Sequence, residues 1–286
     1  VNLGQNESNI PRSVRRRRQR ALAEYHELIP SEQAVKRVTL KTLREATDRY
    51  QCIILLGDPG AGKTTTIENL AYQFAKEHDK LPLLLRLSEF EQGMSVETFI
   101  ARGLAGALTT DHWGAPELAA NLDGYLETGN FYFLFDALNE MPSDGYRENV
   151  QALRGFIEQW LPTGNRFVVT CRALDYGQEL SGLQRIEVQP LENSQIREFL
   201  QKELPDQWHS MWQVLVGSQQ KEHQLLEMTR NPYYLTMMID IFLEDGQLAQ
   251  NRADVIHRFL DILMEWAKGK CLPAEWLNSE IQRRVL

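Results

Sequence analysis

With 286 residues, 43% of them hydrophobic and 24% charged, the chain is long enough for two domains and has the make-up of ordinary soluble globular material with a sizeable core. No apolar run approaches the ~20 residues of a membrane span and no signal-peptide pattern opens the chain, so export is set aside and a cytoplasmic location is expected. The net charge of −8 hides an asymmetry: residues 1–50 carry 11 Lys and Arg against 6 Asp and Glu and the remainder 20 against 33, so +5 precedes −13, which argues against a general nucleic-acid-binding surface in the larger part.

The chain begins at Val1 without an initiator Met and is expected to be a piece of something longer. Residues 1–11 are polar and unpatterned, a loop or linker. Arg12, Arg15, Arg16, Arg17, Arg18 and Arg20 then lead into Ala21, Leu22, Tyr25 and Leu28, which predicts a helix with a basic beginning that stops near Pro30. A solvated helix face accounts for that cluster, and this basic linker, residues 1–37, is the one place that points toward nucleic acid. Residues 35–50 form a mixed helical stretch that delivers the chain to a first strand, Gln51 to Leu56.

That strand runs into Gly57-Asp58-Pro59-Gly60-Ala61-Gly62-Lys63-Thr64, which fits the phosphate-binding pattern G-x-x-x-x-G-K-S/T at every fixed position, and Ile67, Leu70, Ala71 and Phe74 follow at helical spacing. A second apolar strand covers Leu81 to Leu87, with Pro82 at its start, where a missing donor is tolerated. Helical stretches around 95–108 and 116–127 come next. Phe131 to Phe135 is the third strand, closed by Asp136, and Val150, Leu153, Phe156, Ile157 and Trp160 mark an amphipathic helix. Arg166 to Arg172 is the fourth strand and Gln184 to Val188 the fifth. Strands alternating with helices predict an α/β fold, a parallel sheet covered on both faces, over residues 38–190. From Leu191 the pattern is purely helical, which predicts an all-α lid domain over 191–270 with Asn193 or Ser194 capping its first helix, a hinge near Leu191 to Ser194, and the start of a further domain over 271–286.

The residue types in the loop have a physical reason. Glycines let backbone N–H groups turn inward around a polyanion, the ammonium of Lys63 reaches the outer phosphates, and Thr64 offers a hydroxyl to Mg²⁺; Thr65 extends the binding segment. An acid that closes an apolar strand downstream of such a loop orders the Mg²⁺ shell, which is the place of Asp136. In the Asp136-Ala137-Leu138-Asn139-Glu140 segment Glu140 is the candidate to polarise an attacking water, with a solvated loop acid as the alternative. If the fourth strand lies beside the loop strand, the guanidinium of Arg172 points at a γ-phosphate; a surface ion pair is the alternative. Pro232 opens a helix in Thr229-Arg230-Asn231-Pro232-Tyr233, a position that capping alone explains. Cys52, Cys171 and Cys271 lie far apart, the first two in predicted core strands, and read as buried free thiols; the six histidines form no ligand pair, so no metal beyond nucleotide-bound Mg²⁺ is expected.

The set GDPGAGKTT, FYFLFDALNE, RFVVTCR and TRNPYYL, in this order, resembles the NACHT group of STAND-type NTPases, nucleotide switches of immune and antiviral signalling proteins, over about residues 38–268. In that group a small residue follows the Mg²⁺ aspartate and acids come three and four residues on; Ala137 and Glu140 agree, whereas Asn139 stands where an aspartate is usual, a departure that bears on the hydrolysis rate and leaves binding intact. The resemblance implies Arg172 as γ-phosphate sensor, Pro232 as a base contact, ATP in preference to GTP, slow hydrolysis, oligomerisation in the NTP-bound state, and sensor and effector domains in a longer chain. Two other readings stay open, a nucleotide-dependent scaffold with little turnover and an AAA+-like motor, although the motor would place glutamate where Ala137 stands. A Ras-type GTPase would need Asn-Lys-x-Asp, which does not occur.

Overall fold

The computed structural model describes residues 39–77, 80–106, 115–217, 220–249 and 251–269. The basic linker, Cys271 and the predicted further domain lie outside the described residues. The chain divides into two compact units, Val1–Lys41 and Thr42–Leu286; only residues 39–41 of the first are described, and every described helix and strand belongs to the second.

A short helix, α1 (Leu43–Arg49), opens this unit behind Thr42, whose hydroxyl accepts the N–H of Glu45. Then come β1 (Cys52–Gly57), α2 (Lys63–Glu77), β2 (Leu81–Arg86), α3 (Val96–Leu104), α4 (Pro116–Ala120), α5 (Leu122–Glu127), β3 (Phe131–Asp136), α6 (Tyr146–Trp160), β4 (Arg166–Arg172) and β5 (Gln184–Glu187). The five strands make one sheet in the order β2-β3-β4-β1-β5, with every pairing parallel. The three inner strands are near-continuous apolar runs, as burial on both faces demands: all six residues of β3 and the middle five of β4 are buried. The edge strands β2 and β5 are more exposed, and Pro82 sits on one of them, where its missing N–H breaks no inner ladder.

Period-two alternation sends β3 side chains to opposite layers. Phe131, Phe133 and Phe135 enter the main core cluster, where Phe133 stacks on Phe167 of β4 at 5.3 Å and meets Phe156 of α6 edge-on at 5.5 Å. Tyr132 goes the other way, stacked on Phe74 of α2 at 4.0 Å. Aromatic pairs of this kind add about 0.5–1.5 kcal/mol each beyond their burial.

Two predicted features are drawn differently. The stretch 116–127 is two helices, because Asn121 leaves the helical region (φ −116°, ψ 23°) and donates its carboxamide back to the Glu117 carbonyl. The first helix after the sheet, α7 (Asn193–Glu203), is not capped by Asn193 or Ser194: both lie inside it, and Glu192 takes the cap position, its N–H donating to Gln195 Oε1 at 2.9 Å.

Four further helices follow, α8 (Trp208–Leu215), α9 (Gln220–Thr229), α10 (Pro232–Asp245) and α11 (Arg252–Gly269). They pack with α7 around their own cluster, which includes Ile196, Leu200, Met211, Leu235, Met238 and Phe259, separate from the cluster under the sheet. Leu191, which follows the sheet at the place where the sequence predicts a hinge, is tied to the helical region: its N–H bonds Arg230 O at 2.8 Å and its carbonyl accepts from Arg230 Nη1 at 3.0 Å. Among the described residues no helix is long and apolar enough to cross a membrane.

Candidate functional site

At the carboxyl edge of the sheet the chain leaves β1 through the loop 57–62 and enters α2 at Lys63. Two of its glycines are needed for conformation: Gly60 and Gly62 have φ of +76° and +82°, the left-handed region that other residues enter at a cost. At Gly60 there is also no room, since a Cβ would lie 2.6 Å from Tyr233 Cβ and 2.9 Å from Asn231 Oδ1. Asp58, Pro59, Gly60, Thr64 and Thr65 are exposed and Ala61, Gly62 and Lys63 half-buried, so the loop faces solvent on one side. Lys63 Nζ donates to the carbonyls of Gly57 and Asp58 at 2.8 and 2.9 Å. Partial burial pulls its pKa below the ordinary lysine value, and the nearby positive charge of Arg172 pulls the same way, against Asp136.

Asp136 closes β3 at 5% exposure. Its Oδ2 accepts the hydroxyl of Thr64 at 2.9 Å and its Oδ1 the hydroxyl of Thr170, on β4, at 2.6 Å. Thr170 in turn accepts the N–H of Ala137 at 2.7 Å, which holds that residue in a left-handed conformation (φ +60°). Thr64 and Asp136 thus set a hydroxyl and a carboxylate on one spot beside the loop, a hard-oxygen pair that fits Mg²⁺, an ion typically held by one or two carboxylates with substrate phosphates and water completing the shell. Among the described residues no group of three or more His, Cys, Asp and Glu could hold a metal.

The strand order places β4 beside β1, with Arg172 in register with Gly57. Past Ala137 the chain makes a 3₁₀ turn, Leu138–Glu140, which brings Asn139 and Glu140 to the end of β4: Asn139 Oδ1 accepts the N–H of Arg172 at 3.1 Å, and Arg172 Nη2 pairs with Glu140 Oε1 at 3.3 Å. The two side chains read from sequence as γ-phosphate reader and water base are therefore partners of one another, half-exposed at the rim. Cys52 and Cys171 are buried free thiols, pushed up to about 12 and about 11 by burial, which leaves neither ready to react.

Pro232 is the first residue of α10, flanked by the two residues that reach the loop. Asn231 Nδ2 donates to Pro59 O at 2.9 Å, and the Tyr233 N–H lies 3.3 Å from Gly60 O. Thr170, Asn231 and Tyr233 are the site residues that sequence reasoning missed. For Thr170 the one available signal was a hydroxyl in an otherwise apolar strand.

In comparison with known proteins, the NACHT domain family matches residues 51–207. Solved structures that resemble the chain include a chain of the Escherichia coli MS115-1 complex of HORMA, CdnC and Trip13, at 15% identity, covering 85% of this chain and 81% of that one with a TM-score of 0.42. The replication initiator DnaA bound to AMPPCP and single-stranded DNA has 12% identity, coverage of 82% and 69%, and a TM-score of 0.45. A signal transduction ATPase with numerous domains and a tetratricopeptide-repeat sensor, from Pyrococcus horikoshii, has 12% identity, coverage of 79% and 33%, and a TM-score of 0.44. No curated protein matches the sequence.

Proposed function

As this chain belongs to the NACHT family of P-loop NTPases, we propose that it is a nucleotide switch that binds ATP with Mg²⁺ and hydrolyses it slowly. The observation that carries the reading is the meeting of Thr64 and Asp136 at 2.9 Å beside a loop in which Gly60 and Gly62 are already in the left-handed region. Mg²⁺ when bound neutralises charge on the β- and γ-phosphate oxygens. Lys63 exchanges its two carbonyl bonds for the outer phosphates, and the loop N–H groups of Gly60 and of residues 62–65 take the rest of the polyanion. Asp136 and Thr64 hold the ion, with Thr170 fixing the carboxylate's orientation.

In this scheme Arg172 turns from Glu140 toward a γ-phosphate, where a planar donor fork suits a phosphoryl group. That frees the Glu140 carboxylate to orient a water and accept its proton. Pro232 and its neighbours close on the base side, so that the nucleotide favours one placement of the helices. Control of oligomerisation in innate immune or antiphage defence, in the cytoplasm and with sensor and effector domains in a longer chain, completes the proposal and rests on the motif resemblance.

A second reading, a scaffold that binds nucleotide and barely turns it over, is favoured by Asn139 at the position usual for an aspartate and by the engagement of Glu140 with Arg172. One experiment separates them: identify by mass the nucleotide that copurifies with the protein and measure phosphate release with Mg²⁺. Bound nucleotide with slow release supports the switch. Bound nucleotide with no release supports the scaffold, and no binding of ATP or GTP overturns both.

A further inference from the structure

The carboxamide of Asn231 is used twice. Its Oδ1 accepts the Tyr233 N–H at 3.0 Å, which caps α10, and its Nδ2 donates to Pro59 O at 2.9 Å. The Tyr233 N–H is shared with Gly60 O at 3.3 Å. Two consecutive loop carbonyls are thus turned toward the N-terminal end of a 14-residue helix, whose positive end favours them. The approach is close enough to exclude a side chain at Gly60.

The orientation of those carbonyls decides where the loop's donors point. No described peptide bond is cis, and a trans peptide directs its N–H away from its carbonyl. The Pro59 carbonyl faces α10, so the Gly60 N–H of the same peptide is directed away from it. On the next peptide the Ala61 N–H is taken by Asp58 O at 3.1 Å, which leaves the Gly60 N–H as the donor that the contact with α10 orients.

We propose that Asn231 is a positioning residue for the phosphate loop: its Nδ2 fixes the Pro59–Gly60 peptide so that the Gly60 N–H is presented to a nucleoside polyphosphate, and it thereby links the start of α10 to occupancy of the loop. The proposal rests on the nucleotide-binding reading above. It differs from a base contact by Pro232, because the group held is the loop's own backbone.

Substitutions at this position separate the two uses of the side chain. Aspartate keeps an acceptor for the Tyr233 N–H and caps a helix as well as asparagine does, but it sets a carboxylate oxygen against the Pro59 carbonyl in place of a donor. Alanine loses both bonds. Serine caps and is too short to span to Pro59. A residue that served only as a cap would rank asparagine, aspartate and serine together above alanine in every measurement, whereas the loop contact makes aspartate at least as harmful as alanine.

The test is stopped-flow dissociation of N-methylanthraniloyl-ATP with Mg²⁺ from the whole chain, beside the melting temperature without nucleotide. Asn231→Asp is expected to release the analogue about tenfold faster than wild type, the size of one hydrogen bond's net contribution, and no more slowly than Asn231→Ala. Melting should separate the variants that keep the cap from the one that loses it: Asn231→Ala, which loses the cap and the loop bond together, should be lowered further than Asn231→Ser, which loses the loop bond alone. Asn231→Ser, which keeps the cap, should release the analogue faster than wild type and carries the test if the aspartate variant fails to fold. Wild-type release rates in Asn231→Asp or Asn231→Ser overturn the proposal and leave nucleotide binding standing; a wild-type protein that does not bind the analogue overturns the nucleotide-binding reading and this proposal with it.

Discussion

Around Asp136 the site is buried and hydrogen-bonded, its carboxylate 5% exposed beneath two threonine hydroxyls at 2.6 and 2.9 Å, whereas around Glu140 it is open, an ion pair at 3.3 Å between side chains 31% and 50% exposed. Hydrogen bonds to a buried charged group contribute about 1.5–3 kcal/mol each, while an exposed pair contributes about 1 kcal/mol or less after solvent screening. The difference teaches how such a site divides its labour. Asp136 and Thr64, proposed to hold the metal, are fixed by bonds that tie β3 to α2 and, through Thr170, to β4, so the fold sets them in advance. The groups proposed for turnover can change partner at little cost, so their arrangement is left to the ligand.

The largest expected effect removes the phosphate-holding charge next to the buried half. Lys63→Ala should weaken binding of a fluorescent ATP analogue about a hundredfold or more, since charge-assisted bonds to the outer phosphates go with the ammonium; unchanged affinity in a folded variant would end the phosphate-loop reading. Glu140→Gln probes the open half, keeping the shape while losing the proton acceptor. Turnover should fall ~10²-fold with binding unaltered, and a weakened affinity instead would show that the two halves are not separable.

Thr170→Val sharpens the comparison by stripping one hydroxyl from the buried side. Both Asp136 Oδ1 and the Ala137 N–H lose a partner, so stability should drop by about 1–3 kcal/mol and Mg²⁺-dependent affinity about tenfold, with Thr170→Ser restoring both; denaturant melts and Mg²⁺ titrations read the two separately. Arg172→Ala should cost less than about 1 kcal/mol in the same melts, as expected for a solvent-screened pair. It should nonetheless shrink the difference between ATP and ADP in the separation of labels placed near Glu68 and Lys202. A large loss of stability would mean that the rim is as rigid as the buried side.

What was legible in the sequence depends on where the information is local. The inner strands announce themselves as apolar runs, and Asp136 and Arg172 stand out because each ends such a run with a charge. Thr170 was hidden because threonine is an ordinary strand former; only the pairing of β4 with β3 shows that its hydroxyl lands on Asp136. Asn231 was hidden for a similar reason, since Asn-Pro before a helix is fully explained by capping, and its second bond depends on a residue 172 positions away in the chain. The breaks at Asn121 and Glu192 are side-chain choices within one turn, where several residues could cap and periodicity does not choose between them.

The reciprocal bonds between Leu191 and Arg230 have a consequence for how this chain can vary. They bring together the two ends of the stretch 192–229, so α7, α8 and α9 form an excursion that leaves the path of the chain and returns to it just before Asn231. Because closing a longer loop costs only about 0.6 kcal/mol for each doubling of its length, residues inserted at the turns of that excursion should be tolerated without moving the first turn of α10. The same number of residues inserted between Arg230 and Pro232 would displace it. The stretch is therefore a place where related chains can differ freely in length while the helix that meets the phosphate loop keeps its place.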